Sequence, residues 1–184
     1  MKLFYILAIL LCIATNGLAQ TPWKLPFPID TATRKISYQA VVPVSHLPAH
    51  LLYERAKAWH AKVQEPATRI PLLEDKAAGL FIAKRVAMIH DHRFSYTVAI
   101  ECHDGQYEYL FTDFYFLYPR TETPVSGGRV FVAFPKEIPL LDITQQPASL
   151  TPKGEVRPNI RRLLAEAHEV FTALISDLQH NMAY

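Results

Sequence analysis

Cysteine is scarce in this chain. Only Cys12 and Cys102 occur among 184 residues, and only Cys102 lies beyond the N-terminal apolar segment, so no disulfide framework inside the body can carry the fold. Charge of either sign is equally short of an excess: 19 Lys and Arg stand against 17 Asp and Glu. A surface so balanced offers no broad electrostatic footprint for nucleic acid. A transmembrane helix needs about 20 consecutive apolar residues, and the longest such run, Leu3 to Ala14, is shorter than that. The chain also has no P-loop, dinucleotide fingerprint, nucleophile elbow or HExxH motif, and no close carboxylate pair on one recognisable element. No reaction class is announced by motif.

The first segment, MKLFYILAILLCIATNGLAQ, joins one basic residue, Lys2, to an apolar run and ends in Gly-Leu-Ala before Gln20. That is the pattern of a secretory signal peptide cleaved after Ala19. Cys12 raises lipidation as the alternative, but Leu11 precedes it where a small residue would be needed, so plain cleavage is the preferred reading. Residues 1–19 are thus expected to be a signal peptide, followed by an extended, proline-bearing arm over 20–35 and one α+β domain over 36–184. Trp23, Leu25 and Phe27 alternate along the arm; they either pin it to the body or offer a strand to a partner's sheet.

The body is organised by Phe94–Phe116, FSYTVAIECHDGQYEYLFTDFYF. Asp104-Gly105 predicts a two-residue type I′ hairpin turn. Such a turn sets His103 opposite Gln106, Cys102 opposite Tyr107, Ile100 opposite Tyr109, Val98 opposite Phe111 and Tyr96 opposite Asp113. Because strand side chains alternate, the last four of these pairs share the core face. Glu101 with Glu108, Ala99 with Leu110, Thr97 with Thr112, and Ser95 with Phe114 share the other. Asp113 is the odd residue in the core row: the Tyr96 hydroxyl meets it, it is a perturbed acid, or a bulge turns it outward, and the bulge is preferred.

Around this hairpin the patterns predict a strand over 36–44, a helix over 48–64 with Ser45 as its cap, and strands over 69–74 and 80–89. Pro119–Pro158 reads as a proline-rich loop holding one short strand near Val130, Val132 and Phe134. Ile160, Leu163, Leu164, Ala167, Phe171, Leu174, Ile175 and Leu178 recur at helical spacing and predict a long last helix over 159–180. The expected fold is α+β, a single curved antiparallel sheet with two helices on one face in the order β-α-β-β-β-β-α.

The segments ISYQAVVPVSHLPAHLLYERAKAW, GLFIAKR and DGQYEYLFTDF resemble an uncharacterised family of exported bacterial proteins, a domain of unknown function with a TATA-box-binding-protein-like (TBP-like) fold. The resemblance spans about 36–116. It implies that fold and export, and it brings no catalytic residue.

Candidate sites follow from the pattern alone. Two helices cover one face, so Leu110, Phe114 and Phe116 are expected on the open one, either exposed as a binding surface or covered by the proline-rich loop. Arg157, Arg161 and Arg162 gather where the last helix begins; they form an anion site, a solvated basic patch, or an i to i+4 pair of Arg162 with Glu166. His90 and His92 supply two ligands where a closed metal site needs three or four, so no metal is expected, and no cofactor. Cys102 and His103 point to opposite faces, which leaves a buried cysteine rather than a nucleophile with its base. The expected function is an exported, non-enzymatic binding or interaction domain that uses the open face and the proline-rich loop. Its partner is an envelope protein or a small apolar ligand, with no nucleic acid and no membrane span after signal cleavage. The alternatives are an envelope enzyme with a site assembled from loops and a structural subunit of an envelope assembly.

Overall fold

The structure, a computed structural model, describes residues 23–62, 70–118, 121–125, 129–133 and 136–183. The expected signal segment over 1–19, with Cys12, and the first residues of the arm lie outside the described residues. The elements are β1 (Tyr38–Pro43), α1 (Ala49–Lys62), β2 (Ile70–Asp75), β3 (Leu80–Ile89), β4 (His92–His103), β5 (Gln106–Tyr118), β6 (Thr121–Val125), β7 (Arg129–Ala133), β8 (Lys136–Pro139) and α2 (Pro158–Ala183). Two short 3-10 turns, Leu140–Gln145 and Pro147–Ser149, link β8 to α2. One antiparallel sheet runs β1-β5-β4-β3-β2, with β8 also paired to β5. β1 takes the first half of β5 and β8 the last four residues. The proline-rich stretch is therefore more structured than expected: besides β8 it holds the hairpin β6-β7, since prolines at strand ends and edges do not prevent pairing.

Both helices lie on one face, so the expected α+β architecture stands. Phe171 of α2 is fully buried and meets Phe94, Tyr96 and Phe114 at ring distances of 6.3, 5.7 and 4.7 Å. Trp59 of α1 meets Phe111 at 6.2 Å and donates its Nε1–H to Asp177 of α2 at 2.8 Å. The arm closes on itself through the Ile29–Ile36 bridge and folds back onto α2, where Phe27 is buried against His168 and Phe171. Trp23, Leu25 and Phe27 are thus committed to the chain's own core.

The Asp104-Gly105 register is the expected one from His103–Gln106 to Thr97–Thr112. Its turn is not type I′, however: Gly105 has φ +80°, but Asp104 keeps negative φ. The turn is docked rather than free. Gly105 N–H donates to the Leu47 carbonyl and the Gly105 carbonyl accepts from Val44 N–H, while Asp104 Oδ1 accepts the Ala49 N–H at 2.8 Å. Asp104, not Ser45, therefore caps α1, and a turn tied to the β1–α1 connection takes the φ pattern those bonds select.

Gly79 stands at the other close approach. Its φ is +68°, and a Cβ there would lie 2.5 Å from the Cys102 carbonyl oxygen. Gly79→Ala combines a left-handed alanine with a backbone clash, for an expected loss of about 2–4 kcal/mol. Urea unfolding of the variant checks this; an unchanged midpoint would contradict the contact.

Candidate functional site

The residue that decides what each face carries is Asp113. Between Ser95–Tyr115 and Thr97–Thr112 the β4–β5 register shifts by one residue, so Tyr96 faces both Asp113 and Phe114. Asp113 adopts φ +52°, and its carboxylate turns outward to accept from Lys35 Nζ at 2.8 Å. The preferred bulge is there. It also reverses alternation beyond it: Phe114 and Phe116 are buried on the helix side, at 4% and 6% exposure. Their expected place on the open face is corrected, because one extra residue moves every later side chain across the sheet. Leu110, before the bulge, is half-buried on the open face as expected.

Register then defines that open face. Leu73, Ile82, Ala99, Leu110 and Gln39 lie side by side in one row. Beside it run Leu80, Glu101, Glu108 and Val41, and Thr97 and Thr112 lie on the opposite side. Leu73 and Val41 are 45% and 55% exposed. Glu101 and Glu108 face each other directly, an arrangement of like charges that weakens a sheet; His103 Nε2 reaches Glu101 at 3.2 Å. Further along, Lys84 crosses to Glu137 of β8 at 3.1 Å, and Ser95 below is fully buried.

The three arginines do not converge. Arg157 Nε donates to the Leu150 carbonyl, and Arg161 Nε to the Val156 carbonyl with its guanidinium over Trp23. Both secure the entry to α2. Arg162 turns elsewhere, towards Glu166 at 4.0 Å. His90, at φ +52°, places Nε2 2.9 Å from Glu166, and His92 lies against the Phe116 ring. Among the described residues no group of three or more His, Cys, Asp and Glu could hold a metal ion.

Cys102 is buried opposite Tyr107 as the register requires. Burial, with Glu101 nearby, pushes its thiol up to about 12, so it stays protonated at neutral pH and is a poor nucleophile. The residue that sequence reasoning missed is Arg85, fully buried on the helix side with its guanidinium carbon 4.1 Å from the Trp59 ring centre. Nothing in the β3 pattern could have revealed it, since a basic residue on a strand ordinarily marks the solvent face.

One open antiparallel sheet with two helices across a single face is the architecture of the α+β proteins with a TBP-like fold. Residues 38–117 match the model of the family described as a domain of unknown function, DUF4468, with TBP-like fold, and the chain resembles that family as its motifs imply. The crystal structure of a DUF4468 family protein from Bacteroides ovatus superposes with a TM-score of 0.56, at 9% identity, over 86% of this chain and 91% of that one. A TBP-like protein from Parabacteroides distasonis gives 0.54 at 14% identity, over 83% and 96%. Identities so low speak for the fold alone. No curated protein matches the chain, and no helix among the described residues is long and apolar enough to cross a membrane.

Proposed function

We propose that this chain is an exported, non-catalytic binding domain whose open sheet face holds an apolar segment of an envelope protein. The observation that carries the reading is the contrast between the two faces. The helix side is a sealed aromatic core, whereas the other side presents the row Leu73, Ile82, Ala99 and Leu110 with Val41 and Leu80 at its margin. An apolar patch framed by charge is a protein-docking surface more often than a neutral accident. The facing pair Glu101 and Glu108 specifies the partner further, because a basic side chain seated between two carboxylates would relieve their repulsion. Glu137, from the proline-rich stretch, borders the same face through Lys84.

Glu108→Gln separates binding from folding. It removes the repulsion, so the isolated protein should gain about 0.2–1 kcal/mol, while capture of the partner should weaken. A photo-crosslinking residue at position 82, introduced in the native host, should yield one adduct of defined mass that fades in the Glu108→Gln background. The same residue at exposed position 169 on α2 should yield none. Equal adducts from both positions, or no effect of Glu108→Gln on the adduct, would overturn the reading. Export rests on the Met1–Gln20 pattern; the intact mass of the protein from its host should begin at Gln20, and a mass that includes Met1 would refute it.

A further inference from the structure

A second surface lies on the helix side, at the end of the sheet where β3 turns into β4. There a cleft of about 700 Å³ opens between the His90-Asp91 turn, the end of β5, the Leu140–Gln145 turn and the first turns of α2. That volume is within the usual range for small-molecule sites, about 300–1,000 Å³. Its walls divide by chemistry. Phe116, Ile143, Ile160 and Leu163 give an apolar side, and His92, Asn159 and Arg162 bring nitrogen donors to the same space.

The donors differ in whether they are already engaged. His90 and Glu166 satisfy each other at 2.9 Å. The Arg162 side chain makes no hydrogen bond among the described residues; its one approach is the 4.0 Å contact with Glu166, and it is 78% exposed. The His92 ring lies 5.3 Å from the Phe116 ring, centre to centre, and likewise makes no hydrogen bond among the described residues. His90, meanwhile, is held in the left-handed region, where a histidine is strained. Glu166 and Asp91 also line the cleft; Glu166 gives one oxygen to His90 and lies with the other 4.0 Å from Arg162 Nε, and the remainder of the exposed guanidinium is not hydrogen-bonded among the described residues.

We infer that this cleft binds a small organic carboxylate with an aromatic or branched apolar body. The carboxylate lies on the planar fork of Arg162, the group best matched to it geometrically, with His92 and Asn159 as further donors. The body lies on Phe116, Ile143, Ile160 and Leu163. Arg157 and Arg161 take no part, because their side chains are tied to backbone carbonyls. The site is on the face opposite Leu110 and stands independently of the open-face reading.

The test is ¹⁹F NMR titration of the protein, from Gln20 onward, with 4-fluorophenylacetate. Saturable binding is expected, and Arg162→Ala should weaken it about tenfold, the loss of one charge-assisted contact. Arg162 is exposed, so the variant should keep the parent's melting temperature. Trifluoroacetate carries the charge without the body and 4-fluorobenzyl alcohol the body without the charge; each should bind more weakly than 4-fluorophenylacetate. No saturable binding, equal binding by parent and Arg162→Ala, or equal binding of trifluoroacetate would each overturn the inference.

Discussion

Val98→Asp should leave the protein unfolded under conditions where Leu110→Asp folds. The two positions are close neighbours: Val98 pairs with Phe111 and Ala99 with Leu110. Val98 is completely buried beneath the helices, where an introduced carboxylate loses its hydration. An unpaired buried charge costs about 3–5 kcal/mol, much of the roughly 5–15 kcal/mol that holds a typical domain together. Leu110 is half-buried on the open face, and an aspartate there keeps its hydration at an expected cost of about 1 kcal/mol. Circular dichroism and urea unfolding of both variants check the contrast.

Phe171→Ala is the second large effect. Phe171 is where α2 holds the sheet: its ring touches Phe27 of the arm as well as Phe94, Tyr96 and Phe114. Removing a buried phenylalanine costs about 3–5 kcal/mol, and here the cavity would sit under a bulge that cannot close over it without shifting Asp113. The arm should also loosen, so Trp23 should become more exposed than in the parent while the sheet's secondary structure persists. An unchanged urea midpoint would mean that α2 is held mainly elsewhere.

The hairpin register was legible because a two-residue turn and strict alternation leave few choices, and the long last helix because its apolar stripe runs without interruption. What was hidden came from contacts distant in sequence. The bulge at Asp113 was legible, since a carboxylate is out of place in the core row, but its consequence was not carried forward: the extra residue, held outward by Lys35 78 positions away, brings Phe114 and Phe116 into the core. β3 is a second case. Its helix side reads Phe81, Ala83, Arg85, Ala87 and Ile89, and the buried Arg85 lies against Trp59 of α1.

The candidate sites followed the same rule. Leu110 was placed correctly because it precedes the bulge. The arginine cluster and the i to i+4 approach of Arg162 to Glu166 were visible, but the engagement of Arg157 and Arg161 depends on the carbonyls of Leu150 and Val156. The cleft beside Arg162 gathers residues from four elements, and no spacing in the chain signals it.

The central claim is a sheet with one sealed and one open face, divided by a bulge at Asp113. Single cysteines placed in turn at positions 110–117 of the protein from Gln20 onward test it most directly, with maleimide labelling of the native state and buried Cys102 as the internal control. Positions 110, 112, 113, 115 and 117 should react, while 111, 114 and 116 should be protected like Cys102. Uninterrupted alternation, with 113 protected and 114 and 116 reactive, would contradict the bulge and return Phe114 and Phe116 to the open face.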